Sequence, residues 1–391
     1  MTMEGCLLSP EQKAGHIKLF LENRITAEQL AELRHCVNEK DLAVIIQRIY
    51  DLNEKQVLDV AALDSVMAFA DTIKNTRRNA VFTNKINHNF RNGNNKIILA
   101  EGDSWFNYPI ILSDVVDWIA MEKNMAVYSL ANAGDWLLNM LHQRKYVEDL
   151  SVLHPEFFLM SAGGNDLVGK SRIGAIVDPS GHSGEFDHNE FAKQLMVKVR
   201  TNPVVPLDEP KFEDGLKYLS KDFYALLMFF HLQYYFLMNG ILNGGKFPGI
   251  KIITQGYDFA IPQHNGGWRF NPLHWFKPFI RMFLGNGTWL KTPLQMRGIL
   301  DPATQENIVY AMIYLFNEMM IKTGSLFCEM KGLEKSVFHV DSRGSAGRNG
   351  WTDELHLLPE HFKNTGMTFI DCINGVPSKN GQVYVVNQMH P

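Results

Sequence analysis

Four short polar clusters carry the residue types of acyl-transfer chemistry: Gly102-Asp103-Ser104, Asn132-Ala133-Gly134-Asp135, Gly163-Gly164-Asn165-Asp166 and Asp353-Glu354-Leu355-His356. A serine hydroxyl alone is a weak nucleophile and needs a base within hydrogen-bond reach. His356 is the candidate base for Ser104, and Asp353, three residues earlier, can lie one turn away and fix the imidazole's tautomer and orientation. The oxyanion formed on attack needs donors already in place. The backbone N–H of Ser104, that of Gly134 and the side-chain amide of Asn165 would supply three. Glycine suits the second position because it lets the backbone come close to a substrate. Taken singly, Gly-Asp-Ser is a turn, Gly-Asn-Asp a loop and Asp-x-x-His a helix start; the ordered set is what points to catalysis.

The elements that must hold these clusters are short apolar runs: KIILA (96–100), MAVYSLA (125–131), FFLMSA (157–162), IKIITQG (250–256) and VFHVD (337–341). Between them lie helical stretches such as ILSDVVDWIAMEK, WLLNMLHQRKYVEDL and QENIVYAMIYLFNEMMIK. Near-continuous apolar strands alternating with helices predict an α/β fold, a parallel sheet with helices on both faces. Active sites in such sheets gather beyond the carboxyl ends of the strands, so the four clusters are predicted to converge at one edge. Ser104, where a strand should hand over to a helix, is predicted to sit at a positive helix end.

GDSW, the glycine of NAGDW, GGND and DELH resemble the four blocks of the SGNH (GDSL-type) hydrolase family, over residues 96–366. Trp105 stands where the family name has leucine, the second block keeps its glycine and little else, and the gap between the third and fourth blocks is long. The resemblance implies a three-layer flavodoxin-like fold with a parallel five-stranded sheet. It also implies ester hydrolysis through an acyl-enzyme, without metal or other cofactor. On it, Ser104 is the nucleophile, Ser104, Gly134 and Asn165 form the oxyanion hole, and Asp353 and His356 complete the triad.

Several other chemistries lack their signatures. No serine has glycine both two residues before and two after it, so the nucleophile elbow of α/β-hydrolases is absent. Neither a Walker A motif nor a strand-linked G-x-G-x-x-G occurs. His356 and His361 are not at the spacing that sets two imidazoles on one helical face, and no HExxH is present, so no metal is expected. A formal charge of -4 gives no electrostatic reason to expect a nucleic-acid partner.

Residues 1–90 read as an N-terminal helical region with a Ser9-Pro10 cap, either a structural cap or a surface for a protein partner or self-association. The basic, Asn-rich stretch 74–96 reads as a solvated linker. The hydrolase domain then spans 91–391, with insertions at about 169–206 and 262–300; the first contains a loop expected over the site entrance. In the second, Trp268, Phe270, Trp275 and Phe276 interleave with Arg269, Lys277 and Arg281, which suits packing onto the domain, a lid over an acyl chain, or peripheral contact with a membrane. The stretch 223–242 has the length of a membrane span but carries His231, Gln233 and Asn239, which predicts a buried helix and leaves a membrane-facing one as the alternative. Four widely spaced cysteines predict free thiols in a reducing cytoplasm, and the N-terminus lacks the pattern of a secretory signal. The expected function is a cytoplasmic serine esterase or lipase acting on carboxylic esters, with lipid or phospholipid acyl chains favoured. The alternatives are a carbohydrate O-acetylesterase and a binding or signalling module that retains the hydrolase fold.

Overall fold

The computed structural model describes residues 6–22, 24–34, 36–37, 41, 65–88, 90–91, 93–108, 113–182, 189–201, 203–243, 245–262, 287, 289–321 and 334–387. One sheet contains six parallel strands in the order β2-β1-β3-β4-β5-β6. They are β1 (Lys96–Gly102), β2 (Met125–Ser129), β3 (Phe157–Ser161), β4 (Lys251–Gly256), β5 (Val337–Asp341) and β6 (Val383–Val385). All five apolar runs are strands, and β6 corrects the five-strand expectation. At three residues, VYV is too short to stand out from its polar flanks, yet it pairs with β5 from His339↔Val383 to Asp341↔Val385.

Before the sheet come α1 (Pro10–Leu21), α2 (Ala27–Arg34) and α3 (Ser65–Asn87). Helix α4 (Val115–Met121) joins β1 to β2, and α5 (Leu137–Gln143) with α6 (Lys145–Leu153) joins β2 to β3. The link from β3 to β4 carries α7 (Gly164–Val168), α8 (Glu190–Val199), α9 (Glu209–Leu216) and α10 (Lys221–Leu242). Then α11 (Lys291–Met296) and α12 (Pro302–Ile321) precede β5, and α13 (Pro359–Ile373) precedes β6. The β1-to-β2 connection steps one way along the sheet while β3-to-β4 and β4-to-β5 step the other, so right-handed crossovers put their helices on opposite faces. Helix α13 packs against α4, and α12 against α9, α10, β4 and β5, which gives the layers of a flavodoxin-like arrangement. Helix α10 is long and apolar enough to span a membrane, but it is buried inside the fold, where the Tyr234 hydroxyl donates to the Ala162 carbonyl at 2.6 Å.

Two expectations fail here. Residues 74–87 are not a solvated linker but the second half of α3, which covers the open edge of β2. An edge strand presents unpaired backbone groups, and the basic and amide side chains of α3 serve them. Asn79 accepts from the Ser129 N–H at 2.9 Å and donates to the Ser129 carbonyl at 3.1 Å. Lys85 donates to the carbonyls of Ala120, Glu122 and Met125 at 2.9, 2.7 and 2.6 Å. The second failure concerns the thiols: Cys6 and Cys36 form a disulfide that ties the chain ahead of α1 to the end of α2. Cys372 is a buried free thiol, and Cys328 lies outside the described residues. The aromatic stretch 263–286, read from sequence as packing onto the domain, a lid or a membrane contact, also lies outside them.

Candidate active site

Strand β1 ends at Gly102, and the chain turns at once through Asp103 and Ser104. The turn is closed by the Phe106 and Asn107 N–H groups donating to the Asp103 carbonyl, both at 3.0 Å. No regular helix begins at Ser104; among the described residues the next one is α4, and a single turn presents the serine in place of the predicted helix end. Asp103 builds that turn from below. Its carboxyl accepts from the Trp105 N–H at 3.0 Å and the Tyr257 hydroxyl at 2.5 Å, with Ser161 Oγ at 3.4 Å. Burial pushes this carboxyl up to about 6, against the hydrogen bonds from Tyr257 and Trp105 that hold it down.

His356 comes to Ser104 from the loop between β5 and α13. Its Nε2 lies 2.7 Å from Ser104 Oγ, and its Nδ1 lies 2.8 and 3.0 Å from the two carboxylate oxygens of Asp353. Asp353 and His356 are not on a helical turn, as their spacing suggests. They sit in a tight loop pinched by a bridge between Trp351 and Leu357 and by the Thr352 N–H donating to the His356 carbonyl at 2.7 Å. Within it Asp353 Oδ1 also accepts the N–H groups of Leu355 and His356, at 2.7 and 2.8 Å, so backbone and imidazole are oriented by one carboxylate. The Tyr108 ring lies 4.5 Å from the imidazole, centroid to centroid, and its hydroxyl is 3.5 Å from Asp353. Ser104, Asp353 and His356 are each only 8% exposed, so their mutual hydrogen bonds compete weakly with water.

Asn165 is placed by the β3-to-α7 turn, where Gly163 holds a φ of 106° that a side-chain-bearing residue rarely adopts. It lines one small cavity together with Ser104. One of its two amide hydrogens goes to the Asp135 carbonyl at 3.0 Å, which leaves the other for a ligand. Gly134, at φ 79°, is in the turn after β2, which the Asn132 N–H ties to the Gly102 carbonyl at 2.9 Å. It is not among the residues lining the cavity with Ser104 and Asn165; its link to them is the Asn165–Asp135 bond next to it. Among the described residues, the Ser104 N–H donates to no protein acceptor. Asp166 points the other way, accepting the Leu137 N–H at 3.1 Å, and burial pushes it up to about 7 despite Arg172 nearby.

Several supporting residues do not stand out in the sequence. Tyr257 and Asp258 follow β4, so the rule that picks the other strand ends applies to them too. Asp258 accepts from the Gly344 N–H at 2.6 Å, the Ala346 N–H at 2.8 Å and Ser345 Oγ at 3.0 Å, fixing the loop after β5 to the end of β4. Glu354, between Asp353 and His356, accepts the N–H groups of Trp289, Leu290 and Lys291 at 2.9, 3.0 and 3.0 Å and so anchors the start of α11 to this loop. Trp105 ties the serine turn to the histidine loop: its indole N–H donates to the Leu355 carbonyl at 3.0 Å, and its ring meets Tyr257 and Phe362 edge-on at 5.3 and 5.4 Å.

As a whole the site is a hydroxyl joined to an imidazole joined to a carboxylate, with amide donors beside the hydroxyl. Such a set can deprotonate the hydroxyl as it attacks an electrophilic carbon and return the proton to a leaving group.

No family model matches the chain, and no curated protein matches it. Among solved structures, one similar in part is a candidate GDSL-like lipase from Parabacteroides merdae, 12% identical over 70% of this chain and 96% of that one, with a TM-score of 0.28. Another is a catalytic mutant of an acetylxylan esterase from Geobacillus stearothermophilus, 14% identical over 59% of this chain and 96% of that one, with a TM-score of 0.20. Likenesses at these TM-scores are too slight to bear on the chemistry, which rests on the geometry of the site.

Proposed function

We propose that the protein is a serine ester hydrolase with Ser104 as nucleophile. The observation that carries this is the unbroken path from Ser104 Oγ through His356 to Asp353, at 2.7 Å on one side of the imidazole and 2.8 Å on the other, at the carboxyl edge of the sheet. With Nδ1–H donating to Asp353, Nε2 is left to accept the Ser104 proton as Oγ attacks the ester carbonyl carbon. The tetrahedral oxyanion takes hydrogen bonds from the Ser104 N–H and the free Asn165 amide hydrogen. The protonated His356 then gives its proton to the leaving alkoxide, which leaves an acyl group on Ser104. Water, deprotonated by the same Nε2, releases the acid and restores the serine.

A module that only kept the fold for binding would have no need to bury and orient an imidazole between a serine and a carboxylate. The test is hydrolysis of 4-nitrophenyl acetate by wild type, Ser104→Ala, His356→Ala and Asp353→Asn. Loss of kcat by on the order of a thousandfold or more in each, with folded spectra, is expected. Unchanged turnover in Ser104→Ala would sink the assignment.

A further inference from the structure

We infer that Tyr257 is a positioning residue for the proposed reaction: it joins the turn that presents Ser104 to the turn that presents Asn165, so that nucleophile and oxyanion donor keep one spacing. The inference rests on Ser104 being the nucleophile. In the sheet β3 lies between β1 and β4. A side chain that leaves the end of β4 and meets Asp103, just past β1, must therefore cross the end of β3, where Gly164 and Asn165 stand. The Tyr257 hydroxyl donates to one oxygen of Asp103 at 2.5 Å, the length of a charge-assisted bond. The other oxygen of Asp103 accepts the Trp105 N–H at 3.0 Å, so Ser104 stands between the two residues that this carboxylate ties together.

On its other side the tip of Tyr257 rests on the backbone of Gly164. A Cβ at Gly164 would lie 2.9 Å from Tyr257 Cζ and 3.2 Å from the hydroxyl oxygen. The Gly164 N–H interacts with the same oxygen. A Cβ at Gly163 would lie 2.9 Å from the Phe316 ring, whose centroid is 5.7 Å from that of Tyr257. The two glycines before Asn165 thus make room for two aromatic rings, one of which carries the bond to the serine turn. Tyr257 is 4% and Asp103 1% exposed, so water competes weakly for that bond. Burial and the Asp103 carboxylate hold the phenol well above its ordinary 10, which keeps it the donor. The ring has supports of its own: edge contact with Trp105 at 5.3 Å, the neighbouring Phe316, and the Asn317 amide donating to the Tyr257 carbonyl at 3.2 Å. Removing the hydroxyl therefore leaves the ring in the cavity wall that it shares with Ser104 and Asn165.

The experiment is kcat and KM on 4-nitrophenyl acetate for the full chain, with Ser104 labelling of wild type by a fluorophosphonate as the check on the nucleophile. A misplacement of about 1 Å can cost on the order of 100-fold, so Tyr257→Phe is expected to lower kcat by ~10-fold or more. KM should change by less than ~3-fold, because the ring stays in the wall. The decisive comparison repeats Tyr257→Phe in Asn165→Ala. With no amide left to place, the hydroxyl's loss should there cost less than ~3-fold, whereas a merely structural role would cost the same factor in both backgrounds. Gly164→Ala sets a methyl against the same ring and should also lower kcat by ~10-fold or more, which keeps the inference open to refutation if Tyr257→Phe fails to fold. Three results overturn it and, with Ser104 labelled, leave the nucleophile standing: Tyr257→Phe within ~2-fold of wild type, equal losses with and without Asn165, or Gly164→Ala at the wild-type kcat. Absence of labelling together with absence of hydrolysis in wild type overturns both.

Discussion

Arg78 is the residue whose replacement tests most sharply how the N-terminal helices serve the site. It lies on α3, 5% exposed at its side chain, and its Nη2 is 2.6 Å from each carboxylate oxygen of Asp114. Its Nε donates to Asp117 at 2.8 Å and its Nη1 to the Phe106 carbonyl at 2.8 Å, two residues past Ser104. Lys74 adds bonds to Asp114 and to the Tyr108 carbonyl, at 2.5 and 3.0 Å. Arg78→Met keeps much of the volume but removes the cation from a carboxylate that is fully buried. Removing one partner of a buried pair costs about 3–5 kcal/mol. Lys74 and the N–H groups of Tyr108, Val116 and Asp117 stay with Asp114, so the lower end, about 3 kcal/mol, is expected. Against a total stability of about 5–15 kcal/mol that is a large displacement of the urea midpoint at unchanged slope. Arg78→Met/Asp114→Asn should be destabilised by about 1–3 kcal/mol less than the sum of the single changes, because the orphaned charge is gone. Slower fluorophosphonate labelling of Ser104 in Arg78→Met at low denaturant should accompany the loss, since the Phe106 carbonyl, two residues past Ser104, loses its tether. A single-mutant cost under about 1 kcal/mol, or an additive cycle, would refute the reasoning.

Two further predictions concern pH and thiols. Burial, with Asp135 nearby, pushes the Glu101 carboxyl up to about 8 from an ordinary 4.5, so from pH 4.5 to 8 the native state holds a proton the unfolded chain has lost. Stability from this group therefore falls as pH rises through that window, and the Tm of Glu101→Gln should climb relative to wild type from about pH 5 to pH 8.5 and then level off; a constant difference across that range would contradict it. With Cys6 and Cys36 paired across 30 residues, denatured but unreduced protein should titrate no more than two of its four cysteines, and Cys6→Ser/Cys36→Ser should cost up to about 3–4 kcal/mol. Four reactive thiols would show the pairing absent.

Ser104 and Asn165 are legible in the sequence because each sits just past the end of an apolar run, and strand ends in a parallel sheet fall at one edge; Asp353 and His356, in the long loop after the last run, are legible only as an Asp-x-x-His pair that completes the ordered set. Distances between them are not legible: Ser104 and His356 are 252 residues apart in sequence and 2.7 Å apart in space. Arg78 escapes a sequence reading because a run of basic and amide residues looks like a solvated face. Its partners Asp114 and Asp117 lie 36 and 39 residues on, with nothing in either stretch to announce the match. Tyr257 reaches Asp103 across 154 residues in the same way. Strand β6 falls below the length at which alternation is readable, and the Cys6–Cys36 pair depends on how α1 and α2 fold back, which spacing alone does not give. Asp103, although adjacent to the serine, shapes the turn; the carboxylate that meets His356 belongs to Asp353.

The most direct measurement of the central claim is peptide mapping after reaction with a fluorophosphonate at neutral pH. A single adduct on the peptide containing Ser104 in wild type, absent from Ser104→Ala and strongly slowed in His356→Ala, is the predicted result. Native wild type that takes up no label, or takes it up on another residue with Ser104→Ala labelled equally well, would contradict the assignment of Ser104 as nucleophile.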